Sequence, residues 1–109
     1  LIFVTDENFP EQGARLVDAF DLKNEVRPIV DYLDRGTPDT VWLKTLGEWD
    51  EKPVIICGDG QILRNKVERA ALSSANLMFV HLAKGWGNAK WPIFAFKIIK
   101  VWPDIVRPR

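Results

Sequence analysis

A chain of 109 residues with 47% apolar and 28% charged side chains, seven Gly and seven Pro has the make-up of one ordinary globular domain. A single cysteine, Cys57, and a single histidine, His81, exclude an internal disulfide, a four-cysteine zinc site and any two-histidine metal motif. The formal net charge is zero, yet residues 1–59 hold 13 acidic and 6 basic residues while 60–109 hold 2 and 9, so one half is net −7 and the other net +7.

No apolar run approaches the ~20 residues of a membrane span, and the first residues show no basic flank with a cleavage site, so a cytoplasmic protein is expected with no membrane partner. Ile2–Thr5 is apolar and β-branched and predicts a first strand, stopped by Asp6-Glu7-Asn8. From Pro10 to Phe20, Gly13, Leu16, Val17 and Phe20 recur at helical spacing, with Asn8 and Glu11 spaced as a capping box. Glu25–Val30 predicts a second strand, Asp31–Pro38 a loop, and Pro38–Trp49 a helix with Trp42, Leu46 and Trp49 on one face. Pro53–Cys57 is continuously apolar, the pattern of a strand covered on both faces, and it ends at Gly58-Asp59-Gly60. A helix over 62–73, a strand over Leu77–Leu82 and a last helix over Pro92–Trp102, closed by Pro103, complete the order, with 103–109 as a frayed tail.

The alternation predicts an α/β fold. It is a three-layer α/β/α sandwich with a central parallel sheet of about four strands, in one domain over 1–109. Such sheets bind ligands beyond the carboxyl ends of their strands. Asp6 and Glu7 follow the first strand and Asp59 follows the third; if those strands are neighbours, the two aspartates emerge side by side. With Thr37 as N-cap, Asp39 stands three residues before Trp42, on the helix's buried face. Each acid also has an ordinary use, Asp39 at a helix N-terminus, Asp59 in a turn, Asp6 as a cap. Together, three carboxylates in one crevice repel unless a cation neutralises them, and hard oxygen donors suit Mg²⁺ or Mn²⁺. With one histidine and one cysteine, acid chemistry on a phosphodiester is better served than a histidine-based hydrolase.

Ile2-Phe3-Val4-Thr5-Asp6-Glu7-Asn8, then Gly36-Thr37-Pro38-Asp39 before a helix, then Val54-Ile55-Ile56-Cys57-Gly58-Asp59, resemble in order the acidic motifs of small PIN-like domains over roughly the first 65 residues. The resemblance implies a Mg²⁺- or Mn²⁺-dependent ribonuclease, often a VapC-type toxin held inactive by a cognate antitoxin. Carried over by position, Asp6, Asp39 and Asp59 are the metal-holding and catalytic acids, Glu7 an additional ligand and Asn8 an orienting residue. Gln61 stands where relatives often place a further acid, so the alternative is a catalytically weak or inactive module that binds protein or RNA.

On the basic half, Arg64 and Lys66 follow Asp59 within one helix and are candidates for phosphate contacts; Trp86, in a Gly-rich loop near Lys84 and Lys90, either stacks on an unpaired base or packs on the sheet edge. The last helix is apolar nearly all round, which predicts contact with another chain, a second copy or an antitoxin, unless the C-terminal tail covers it. His81 is expected to be structural.

Overall fold

The computed structural model describes residues 1–58, 70, 73–82, 86 and 89–107. Four short runs, β1 (Ile2–Thr5), β2 (Glu25–Pro28), β3 (Val54–Cys57) and β4 (Met78–His81), pair in parallel as one sheet in the order β2-β1-β3-β4. The register sets Phe3 opposite Val26 and Val54, and Thr5 opposite Pro28 and Ile56. Helices flank the sheet, among them α1 (Glu11–Phe20), α2 (Asp39–Gly47) and α3 (Trp91–Ile105).

Strand alternation divides the core in two. Phe3, Val54 and Ile56 face one layer, where Ala14 and Val17 of α1 meet Phe94, Ile98 and Trp102 of α3. Val4, Ile55 and Cys57 face the other, against Trp42, Leu43 and Leu46 of α2. All of β3 is buried, as a continuously apolar strand between two helical layers requires. The α/β sandwich expected from the sequence is therefore the observed fold.

Element ends differ from the sequence reading where proline or a tertiary contact intervenes. β2 stops at Pro28, which has no N–H to continue a ladder, and Ile29–Asp31 wind into a 3₁₀ turn instead of extending to Val30. The capping box of Asn8 and Glu11 does not form: Pro10 occupies the N-cap position of α1, the Phe9 N–H donates to Asp6, and Glu11 pairs with Arg35. Pro38, not Thr37, is the N-cap of α2, and the Thr37 hydroxyl donates to the Asp34 carbonyl at 2.6 Å.

The last helix is not closed by Pro103, and the tail does not begin there. α3 starts at Trp91 and runs through Pro103 to Ile105, because Pro103 removes only one hydrogen bond near the end while buried Trp102 and Ile105 hold the final turn on the sheet. Pro108 and Arg109 lie outside the described residues, as does most of the helix expected over 62–73; Ala70 and Ser73 are helical. α3 buries Phe94, Ile98, Trp102 and Ile105 and leaves Ile93 and Phe96 exposed, at 52% and 66%. Among the described residues, no helix is long and apolar enough to cross a membrane.

Candidate functional site

The sheet order reverses at β1. From β1 the chain passes to β2 on one side, then returns to β3 on the other. A crevice therefore opens beyond the carboxyl ends of β1 and β3, where open α/β sheets place their ligands. Asp6 is the first residue past β1 and is buried, 7% exposed. Its Oδ1 accepts from the Phe9 N–H at 3.1 Å and from the Gly58 N–H at 2.9 Å, while its own N–H donates to the Ile56 carbonyl at 3.0 Å. One carboxylate thus binds the turn after β1 to the end of β3, and two backbone donors fix its orientation.

Gly58 permits this closure. A Cβ there would stand 2.4 Å from the Asn8 carbonyl oxygen and 2.8 Å from the Phe9 nitrogen, so the two backbones pass too closely for any side chain. The glycine pattern around Asp59 suggested a tight turn; at Gly58 the reason is the approach of another strand end.

Asp39 opens α2, where the helix dipole favours a carboxylate. The sequence spacing put it on the buried face; it is half-buried on the crevice, where its Oδ1 accepts from Nε1–H of Trp42 at 2.6 Å, and Trp42 is anchored in the core. Periodicity placed Trp42 on the buried face, and the structure adds that its indole also positions Asp39. Asp6, Glu7, Asn8, Asp39 and Trp42, with the wall formed by residues 36–38, bound a polar crevice of about 310 Å³. Glu7 is exposed on its rim, and its Oε1 accepts from the Gly36 N–H at 2.7 Å.

The structure therefore brings Asp6, Glu7, Asn8 and Asp39 to one crevice. Asp59, Gln61, Arg64, Lys66 and Lys84 lie outside the described residues. Among the described residues, no group of three or more His, Cys, Asp or Glu side chains is placed to hold a metal ion. Asp6 and Asp39 nonetheless offer hard oxygen donors on a polar crevice, and Mg²⁺ commonly binds through one or two carboxylates with water and substrate phosphate completing its shell. Trp86 packs edge-on against Phe94, ring centroids 5.9 Å apart, and keeps partial exposure. His81 is exposed at the end of β4 and stacks on Phe79.

A family model described as "PIN like domain" matches residues 1–84. No curated protein matches the chain, and no solved structure does.

Proposed function

Because the chain belongs to the PIN-like domain family, whose fold is of the nuclease type, we propose that it is a metal-dependent endoribonuclease working in the crevice of Asp6 and Asp39. The observation that carries this reading is the placement of Asp6: a buried carboxylate at the switch point of the sheet, fixed by two backbone N–H groups. Asp59 follows Gly58 directly in the sequence and is the third carboxylate of the proposal. These acids would hold Mg²⁺ or Mn²⁺. When bound, the ion supplies Lewis acidity to a phosphoryl oxygen and lowers the cost of ionising a water.

The chain's own residues do the positioning. Asp6 is held by the ends of β1 and β3, and Asp39 by Trp42, so the carboxylates keep their geometry without substrate. Water adds in line to the scissile phosphorus and the 3′ oxygen leaves, giving 5′-phosphate and 3′-hydroxyl ends. Arg64 and Lys66 are proposed to meet flanking phosphates, and Trp86 an unpaired base. In this reading the chain is a toxin restrained by a cognate antitoxin in the cytoplasm. The exposed Ile93 and Phe96 of α3 support a protein partner, an antitoxin or a second copy.

Asp6→Asn and Asp59→Asn are expected to lower RNA cleavage by about 100-fold or more while circular dichroism shows the fold intact. Cleavage retained in both variants overturns the proposal. The second reading, a module that binds without cutting, is favoured by Gln61, which stands where PIN-like relatives often place a further acid. It gains if Mn²⁺ neither raises the melting temperature nor binds by calorimetry.

A further inference from the structure

Residues 36–38 form one wall of the crevice; they end the loop from Asp34 that delivers Asp39 to the first turn of α2. It has little regular structure of its own, and Gly36 adopts φ +80°, open only to glycine at low cost. Two carboxylates distant in sequence hold it. Glu7 accepts from the Gly36 N–H at 2.7 Å, and Glu11, in the first turn of α1, takes Arg35 at 2.9 Å. Asp31, just upstream, receives both guanidinium nitrogens of Arg15 at 2.7 and 2.6 Å. The Asp34–Asp39 segment is thereby fastened to the end of β1 and to α1 by contacts distant in sequence.

We infer that Glu7 is a positioning residue, a latch whose bond to the Gly36 amide sets the crevice wall and, through it, the place of Asp39 relative to Asp6. The resemblance implied a ligand role for Glu7; its observed Oε1 bond serves the loop. The inference rests on the nuclease reading for its effect on cleavage, but the latch itself is measurable without activity. Its acceptor function needs an oxygen, not a charge, so glutamine can replace it and alanine cannot. A metal ligand would behave otherwise, since a neutral amide is a poor substitute for a carboxylate on a hard cation.

The test compares wild type, Glu7→Gln and Glu7→Ala. Hydrogen exchange at the Gly36 amide, read by NMR, is expected to quicken about tenfold in Glu7→Ala and to stay near wild type in Glu7→Gln. Mn²⁺ affinity by calorimetry and kcat for RNA cleavage are expected to fall about five- to tenfold in Glu7→Ala and to be rescued in Glu7→Gln, with KM for RNA little changed. Melting temperatures should agree, because Glu7 is exposed and outside the core. Unchanged Gly36 exchange in Glu7→Ala overturns the latch. So does loss of Mn²⁺ affinity in Glu7→Gln equal to that in Glu7→Ala, which makes Glu7 a ligand. If wild type neither binds Mn²⁺ nor cleaves RNA, the nuclease reading fails, while Gly36 exchange still decides whether the latch exists.

Discussion

At Gly58 a single missing methyl group decides whether the crevice can form. A side chain there would strike backbone atoms of Asn8, which cannot swing aside as a flexible side chain can. Gly58→Ala must push the end of β3 from the Asp6–Phe9 turn and stretch the Gly58 N–H bond to the Asp6 carboxylate. The expected cost is about 2–3 kcal/mol by chemical denaturation, in the range of overpacked cores, with loss of any Asp6-dependent activity. By contrast, Gly36 has open space around it, and its demand is conformational: substitution strains the loop through its positive φ and not through contact.

At the scale of elements, α1 and α3 are joined by one carboxylate. Asp21 caps α1 and accepts from the N–H groups of Lys23 and Asn24, from the Asn24 amide, and from the Trp102 indole of α3 at 2.9 Å. Partial burial pushes its pKa up, but the bonds from Asn24, Trp102 and Lys23 outweigh it and hold it down to about 2. The unfolded value is about 3.8, so the ionised group stabilises the fold fully above that pH, and the contribution fades as pH falls towards 2. Thermal melts between pH 5 and pH 2 should therefore show wild type losing about 1–2 kcal/mol more than Asp21→Asn, whose side chain does not titrate. The same two-sidedness marks α3. Phe94→Ala, at a buried position touching Phe9, Trp86 and Trp91, should cost about 3–5 kcal/mol. Phe96→Ser, two residues on and exposed, should stay within about 0.5 kcal/mol in the same denaturation series.

Across the whole molecule, the sequence exposed what depends on local pattern and hid what depends on neighbours. Apolar runs at Ile2–Thr5, Pro53–Cys57 and Leu77–Leu82 marked three of the strands, and helical spacing marked α1 and α2, because burial on a sheet imposes those periods. The position of Asp6 past a strand end and of Asp39 three residues before Trp42 could be read for the same reason. The pairing of β1 with β3, by contrast, joins segments about fifty residues apart, and no local pattern encodes it. Glu7 and Gly36 are likewise 29 residues apart, so their bond leaves no periodic trace, and Glu7 reads in sequence only as another acid beside Asp6. Gly58 was visible as a turn signal, while the backbone it must let pass was not.

The central place of β1 has a consequence for how the chain comes into being. β1 sits in the interior of the sheet, yet one of its two partners lies about fifty residues further along the chain. Until β3 docks, Asp6 lacks the Gly58 amide and β1 has one edge without its partner. Parallel pairing at such separation raises contact order and slows folding. The fixing of Asp6 is thus a late event of folding, completed only when the end of β3 docks beside β1.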